Sequence, residues 1–277
     1  QSIQLAERNL GDPFAVRVLK ALFLVKYVRA FKPTVRNISI LMLERFDQDI
    51  SALRKRIEAA LAVLEQQTYI QRNGELYEFL TDEEQDIEQE IKNVAVDSTE
   101  VSQELEALIF DTIIKNRKLR HEATGNDYAY ARKLDDRLAG RDYELSINVL
   151  TPFYEHAENP SAVRMQGMSR DELAVLLKPD ARLMNDVLSY KRTDKYVRQN
   201  RAVSDQPTVE RIISDKGQQN ATRYRDLTTR LKTLLSEAQL FVRGEELDIR
   251  GEDAQTRIIR AFQTLVDKVH VNLGMLR

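Results

Sequence analysis

Residues 69–80, YIQRNGELYEFL, are the feature that most limits how this chain of 277 residues can fold. Two short β-prone runs flank Asn73-Gly74, a strong signal for a two-residue hairpin turn because both residues tolerate positive φ. Three stretches with apolar residues at helical spacing precede the hairpin, at 13–31, 34–46 and 50–67. Three helices followed by a hairpin is the order of elements in a winged helix. We therefore expect a winged helix near the N terminus.

The middle of the chain mixes helical and strand-like patterns. Thr81 and Glu84 form a capping box that opens an acidic helix of about 82–93, and 101–116 is again helical. A hairpin is expected at Gly125-Asn126. The later elements are a strand at 144–150, a hairpin formed by 162–166 and 172–178, and a helix at 180–200. A second capping box, Ser169 to Glu172, leaves a helix open as the alternative to the strand at 172–178.

The last third is mostly helical. Residues 207–238 form one helix or two, with Gly217 as the plausible break. A short hairpin around Gly244 and an amphipathic helix at 253–273 follow. The expected fold class is α+β and mostly helical. The expected domains are a winged-helix domain at 1–95, a small mixed α/β sheet domain at 96–202, and a helical C-terminal region with a short hairpin at 203–277.

The composition excludes several classes of site. The formal net charge is −2, so no global field attracts nucleic acid or membrane, and any such contact must be local. The chain has no cysteine, which excludes disulfides and thiolate metal sites. No apolar run is long enough to span a bilayer. We expect a cytoplasmic protein, and the start at Gln1 indicates a piece of a longer one.

Common catalytic motifs are absent from the sequence. There is no phosphate-binding GxxxxGK[ST], no GxGxxG and no GxSxG, and the three histidines are widely separated. Asp135-Asp136 resembles the acidic pair of metal-dependent nucleases. Adjacent residues on a strand point to opposite faces, which favours a turn or cap role instead. A nuclease built on 117–178 is kept as a minor alternative, and we predict no catalytic residue and no metal site.

Basic residues near the hairpin are candidates for phosphate contacts. Residues 1–80 carry twelve Lys and Arg against nine Asp and Glu. Arg54, Lys55 and Arg56 lie early on the third helix, and Arg72 lies beside the turn. However, the exposed face of that helix also presents alanines and is flanked by Glu58. The wing can contact DNA, contact a partner protein, or only brace the domain.

A second basic cluster lies at 189–201, SYKRTDKYVRQNR, where basic residues alternate with tyrosines. Its candidate DNA-binding residues are Lys191, Arg192, Lys195 and Arg198. Three of these, Lys191, Lys195 and Arg198, fall on one side of a helix, as a phosphate stripe requires. The alternative is a solvated helix whose tyrosines pack inward. The acidic segment 82–106 is likewise either a solvated face or a docking surface for a basic partner.

Three stretches together resemble a known family. YEFLTDEEQDIEQEI (77–91), IFDTIIKNRKLRHEATGNDYAYARKLDD (109–136) and SYKRTDKYVRQN (189–200) are similar to the large P-loop ATPase of BREX phage-defence systems, BrxC, called PglY in a related system type. The resemblance covers the whole chain and places it after the nucleotide-binding part of the parent. It implies a bacterial cytoplasmic ATPase that excludes phage together with a DNA methyltransferase and a phosphatase-like protein.

The resemblance carries no nucleotide-binding residues onto this chain, because no position matches the Walker motifs of the family. ATP and Mg²⁺ are therefore expected in the parent and no cofactor in this segment, which should neither bind nor hydrolyse ATP. Two functional hypotheses remain. The segment contacts double-stranded DNA and helps assembly, or it is a protein-interaction scaffold that binds other BREX proteins or a second copy.

Overall fold

The computed structural model describes residues 2–200, 206–250 and 253–270. The fold is α+β and mostly helical, as predicted. The chain groups into two compact units. The first unit comprises Gln1–Ala95 with Arg192–Arg223, and the second unit comprises Val96–Lys191 with Tyr224–Arg277. In the described part of the chain, no helix is long and apolar enough to cross a membrane.

The first unit begins with four helices and a hairpin. These elements are α1 (Ser2–Asn9), α2 (Pro13–Val25), α3 (Val35–Leu41), α4 (Ile50–Gln66), β1 (Ile70–Asn73) and β2 (Leu76–Phe79). The N-caps of α2, α3 and α4 are Asp12, Thr34 and Asp49, whose side chains accept hydrogen bonds from the backbone of the first turn. Helices α2 and α3 end well before the predicted residues 31 and 46, because apolar spacing does not mark where a helix stops.

The predicted hairpin is present, but its turn lies one residue later than expected. Asn73 pairs with Leu76, so the two turn residues are Gly74 and Glu75. Of these, only Gly74 has a positive φ, at +61°. A glycine with positive φ at the first turn position is the pattern of a type II′ turn. The hairpin bonds to the chain before α3 through Tyr77 N and the Pro33 carbonyl, 2.9 Å apart.

One apolar core joins the four helices to the hairpin. Its fully buried members include Leu19, Ile38, Ile57 and Ile70, one from each of α2, α3, α4 and β1. Helix α5 (Asp82–Asn93) follows, and Thr81 and Glu84 form the predicted capping box. A smaller apolar cluster packs α5 against Tyr196 and against apolar residues within 209–213, which also belong to the first unit.

The second unit is built on a mixed six-stranded sheet. Its strands are β5 (Ala131–Leu134), β6 (Arg137–Ala139), β7 (Ser146–Leu150), β8 (Glu172–Leu176), β9 (Gln239–Val242) and β10 (Glu245–Glu246). The order is β10-β9-β8-β7-β5-β6. Strands β5, β7 and β8 are mutually parallel, and the other neighbours are antiparallel. The three-domain division stays a prediction, but β9 and β10 come from the region assigned to a separate helical part.

The predicted strand at 162–166 is wrong, because residues Pro160–Gly167 form helix α7. The side chain of Asn159 accepts a hydrogen bond from Ala162 N at 3.1 Å, and Pro160 occupies the first helical turn. This Asn-Pro start signal outweighs the short valine-containing run. Residues 172–176 are a strand as predicted, but β8 pairs with β7 and β9 instead of with 162–166.

Helices cover the sheet, and a small hairpin lies beside it. Helix α6 (Ser98–Glu106) continues into a π-helix (Ala107–Ile114), and β3 (Lys118–Arg120) pairs with β4 (Asp127–Ala129) around the predicted turn at Gly125-Asn126. Helices α8 (Leu183–Asn200) and α9 (Pro207–Ser236) contribute to both units, and α9 runs unbroken through Gly217. Helix α10 (Ala254–Val269) packs on the sheet; the predicted residues 271–273 lie outside the described residues.

Candidate functional site

The three consecutive basic residues of α4 point in different directions. Arg54 and Lys55 are exposed, and within the described residues neither side chain makes an ion pair. The guanidinium carbon of Arg56 lies 3.9 Å from the centroid of the Phe14 ring, which fixes that cation against α2. The exposed face also carries Glu58, as the helical pattern predicted. This helix therefore offers two free cations and one carboxylate to an incoming phosphate backbone.

Arg72 is held against its own hairpin. Its Nε donates to the Gly74 carbonyl at 2.8 Å, and its guanidinium lies 3.6 Å from a carboxylate oxygen of Glu75 and 5.3 Å from the Tyr77 ring centroid. These contacts stabilise the turn. They also make the Arg72 guanidinium less available for contact with a DNA phosphate than the sequence indicated.

The second basic cluster is engaged in internal contacts. Lys191, in the second unit, contacts Glu104 at 3.0 Å, and both side chains are largely covered. Lys195, in the first unit, donates to the Ala95 carbonyl at 2.8 Å. Arg198 contacts Asp194 at 3.1 Å, one helical turn away. Arg192 is half-buried, and its Nε has no hydrogen-bond partner. Arg201, at the end of the cluster, lies outside the described residues. The predicted stripe is thus divided between two units and largely neutralised.

The tyrosines of this cluster pack inward, as the alternative interpretation predicted. Tyr196 is buried, and its hydroxyl donates to a Glu90 carboxylate oxygen at 2.5 Å. Burial and this hydrogen bond both raise the pKa of Tyr196 above its ordinary value. Tyr190 packs against Tyr224, with ring centroids 5.3 Å apart. Neither ring is free to stack on a nucleic-acid base.

Asp135 and Asp136 form the turn between β5 and β6. Both have positive φ, +49° and +65°, which is the pattern of a type I′ turn. Asp135 accepts hydrogen bonds from the backbone nitrogen and the hydroxyl of Thr151, at 2.7 and 2.8 Å. Burial nevertheless raises its pKa. The two carboxylates have different partners, as the turn interpretation requires.

Asp136 belongs to a polar network at the same edge of the sheet. It accepts hydrogen bonds from Asn148, Tyr154 and Arg170, at 2.7 to 2.9 Å. Burial opposes its ionisation, but these partners outweigh burial and lower its pKa. Burial and the bond to Asp136 raise the pKa of Tyr154 to about 12. Beside the network lies a cavity of about 610 Å³, lined by Asp135, Asp136 and Tyr154 together with apolar residues of α6.

Glu172 extends this network into the sheet. Only 3% of the residue is exposed, and its carboxylate contacts Lys133 at 3.2 Å and Arg170 at 3.3 Å. Within the described ranges, no group of three or more metal-ligating side chains is placed to hold an ion. The carboxylates of Asp136 and Glu172 contact cationic and amide side chains of the same unit. The network is therefore one of structural ion pairs and hydrogen bonds.

The six-stranded sheet agrees with the family that the second unit matches. Residues 94–265 match the family model for the fourth domain of the BREX ATP-binding protein BrxC, a domain described as having a six-stranded β-sheet. The chain belongs to the BrxC family. The predicted resemblance is confirmed, and the match places the chain in a BREX anti-phage system. No solved structure matches it.

The match to BrxC covers nearly all of the second unit, whereas most of the first unit lies outside it. Sequence reasoning missed the main surface feature of that first unit. Several large apolar side chains of α2, α3 and the segments next to them are exposed: Leu24, Tyr27, Val28, Ile40, Leu41 and Phe46. The sequence signal was available for Leu24, Ile40 and Leu41, because they fall beside the buried stripe of α2 or α3 and not on it.

Proposed function

We propose that this chain is a non-catalytic assembly segment of a BREX ATPase, in which the first unit binds another protein of the defence system. The family match supports the BREX setting, because BrxC belongs to a multi-protein system. In this proposal ATP and Mg²⁺ belong to the parent ATPase. The segment itself catalyses no reaction, and its role is to hold proteins of the system together.

The observation that carries the proposal is the exposed apolar surface of the first unit. Phe46 is fully exposed, Tyr27 is 79% exposed and Leu24 is 75% exposed. Monomeric soluble proteins seldom leave many large apolar side chains close together in solvent, and such surfaces usually mark interaction sites. Aromatic residues are also enriched at the centre of protein interfaces. A partner that covers these side chains removes apolar area from water, which favours association.

Two ion pairs with half-exposed side chains involve α2. Arg17 contacts Glu44, which follows α3, and Lys20 contacts Glu7 of α1 at 2.6 Å. Exposed pairs of this kind are usual at the polar rim of an interface and contribute little to stability. The apolar residues, and not these charges, should therefore carry the affinity.

The test is co-purification of the chain with the other proteins of its BREX system. Leu24→Asp/Phe46→Asp should abolish partner capture while leaving the thermal unfolding temperature unchanged, because both side chains are exposed. Leu138→Asp/Met165→Asp is the matched control, since these two exposed apolar residues belong to the second unit. Equal loss in both double variants would reject the first unit as the docking surface. Sedimentation of the chain alone shows whether the surface binds a second copy instead.

DNA contact by the first unit is the second candidate function. The specific observation in its favour is that Arg54 and Lys55 are adjacent, exposed and without ion-pair partners among the described residues, on the helix that precedes the hairpin. In a winged helix this is the helix that enters the major groove. The short hairpin would then act as the wing beside a phosphate backbone.

Salt dependence distinguishes this second candidate from protein binding. Binding of a labelled duplex should weaken steeply between about 50 and 200 mM salt. Arg54→Glu/Lys55→Glu should weaken it, whereas Lys191→Glu/Lys195→Glu should act mainly on folding, because those two cations have internal partners. Duplex binding that is insensitive to Arg54→Glu/Lys55→Glu would remove α4 from the DNA interface.

A further inference from the structure

A strip of unpaired cations lies on the second unit and shares no residue with the basic clusters considered above. Four exposed residues form it: Lys115, Arg117, Lys118 and Lys232. In the portions of the chain that the structure describes, none of these four side chains takes part in an ion pair or a hydrogen bond. Two other basic residues of the region are paired. Arg132 contacts Asp111 at 2.8 Å, and Arg230 contacts Asp180 at 3.1 Å.

Two of these cations, Lys115 and Lys232, line the same cavity. Lys115 ends the π-helix with a φ of +64°, and its N–H donates to the Phe110 carbonyl at 3.0 Å. This left-handed residue turns the chain toward β3. The cavity has a volume of about 320 Å³ and also has Thr112, Thr233 and Ser236 in its wall. The cavity wall carries these two lysines against one carboxylate, that of Asp253, so its net formal charge is positive and favours an anion.

The remaining two cations extend the strip from the cavity. Arg117 and Lys118 follow Lys115 within three residues, a distance of about 10 Å at most in extended chain. Lys118 opens β3 and faces solvent, whereas the next residue, Leu119, is buried. Arg120 shares the exposed face, and its cross-strand neighbour is Asp127.

The chemistry of the cavity wall limits what the anion can be. Thr233 and Ser236 donate their hydroxyl hydrogens to helix carbonyls, at 3.2 and 2.8 Å. Asp253 also lines the cavity, and its carboxylate accepts hydrogen bonds from Gln255 N and Thr256 N. The Thr112 hydroxyl pairs with the Tyr224 hydroxyl at 3.4 Å, so the charged donors left for a ligand are the two ammonium groups, whose charge Asp253 offsets in part. They suit a phosphate as point charges, without the planar geometry that bidentate carboxylate recognition uses.

We propose that Lys115, Arg117, Lys118 and Lys232 form a sequence-independent contact surface for the phosphodiester backbone of nucleic acid. No large apolar side chain is exposed in residues 107–134 or in 224–242. Protein interfaces have an apolar core, whereas nucleic-acid interfaces are more polar and more positive. The strip therefore fits a phosphate backbone better than an acidic protein. This inference does not rest on the proposed function, because it concerns a different unit and different residues.

The test is fluorescence anisotropy of the purified chain with a labelled duplex and a labelled single strand, at about 50 and 200 mM salt. Lys115→Glu/Lys232→Glu should weaken binding about tenfold or more at the lower salt and reduce the salt slope by about 2. Lys115→Gln/Lys232→Gln should give a smaller loss in the same direction. The duplex and single-strand arms show which form of nucleic acid supplies the phosphates.

Arg137→Glu/Arg141→Glu is the matched control, since it makes the same change of charge on exposed residues of the same unit. This control variant should keep at least half of the affinity of the unmodified chain. Circular dichroism checks that every variant is folded. Three results would overturn the proposal: no binding by the unmodified chain at low salt, equal losses in the test and control variants, or tighter binding of polyglutamate than of DNA. Loss only in Arg54→Glu/Lys55→Glu would also overturn it, while supporting DNA contact by the first unit.

Discussion

The ammonium group of Lys216 contacts the carboxylate of Glu88, and only 5% of Lys216 is exposed. The same ammonium group contacts the amide oxygen of Gln71. Helix α9 is therefore joined to α5 and to the hairpin of the first unit by one buried cation. Removing a single member of such a pair leaves an uncompensated charge in a poorly solvated place.

This pair predicts a strong double-mutant coupling. Glu88→Ala should lower the free energy of unfolding by about 2–3 kcal/mol, because Lys216 then lacks its counter-charge. Lys216→Met in the same background should restore part of the loss, since an apolar stem of similar length refills the space. Urea denaturation of the wild type, both single variants and the double variant measures the coupling. Strictly additive losses would show that the two charges do not stabilise each other.

The glycine of the first hairpin should resist substitution. Gly74 has a φ of +61°, a conformation that costs an L-residue about 1–2 kcal/mol. Gly74→Ala should therefore lower the free energy of unfolding by about that amount. Glu75→Ala is the control at the neighbouring turn position and should change stability much less. A neutral result for Gly74→Ala would mean that the turn does not need its left-handed residue.

Asp135 should make stability depend on pH. Burial raises the folded-state pKa of this carboxyl above its unfolded value, so between the two values the folded state binds more protons. The unfolding free energy that Asp135 contributes therefore falls as pH rises through that window, which begins near pH ~3.9. Asp135→Asn removes this dependence.

Urea denaturation at a series of pH values checks this sign. The stability of the wild type relative to Asp135→Asn should be greatest at the acidic end of the range and should decline as pH rises, then level off. A relative stability that grows with pH would contradict the raised pKa and would indicate that the hydrogen bonds from Thr151 dominate over burial.

Two phenylalanines of the first unit should behave oppositely. Phe46 is fully exposed, so Phe46→Ser should change the free energy of unfolding by no more than about 0.5 kcal/mol. Phe14 is 6% exposed and its ring carries the guanidinium of Arg56. Phe14→Ala should cost about 3–5 kcal/mol. Thermal and urea unfolding measure both, and a large loss for Phe46→Ser would mean that this side chain has an intramolecular role.

Local signals predicted much of the fold. The capping box at Thr81, the turn glycines at 125 and 244, and the apolar stripe of α4 each depend on a few neighbouring residues, and each feature is present. The errors arose where a short apolar run fits two structures. Residues 162–166 contain valine and methionine, and only the Asn159-Pro160 start signal distinguishes their helix from a strand.

The candidate sites were harder to predict because charge pairing is not local. Lys191 is balanced by Glu104, which lies 87 residues away in the chain, so its sequence neighbourhood overstated its availability. Conversely, Lys115 and Lys232 share a cavity although no sequence pattern connects them. Exposed apolar residues are equally hard to predict. The sequence shows which residues are apolar but not which of them a neighbouring helix covers.

The position of β9 has a consequence for how the sheet is made during synthesis. All five residues of β8 are buried, and one edge of β8 is completed by β9, which follows it by about 60 residues. Until residue 242 has left the ribosome, β8 presents a row of unpaired backbone groups flanked by apolar side chains. Such an edge readily recruits strands from other chains. A fragment that ends between α8 and β9 should therefore aggregate, whereas one that includes β9 and β10 has a completed sheet.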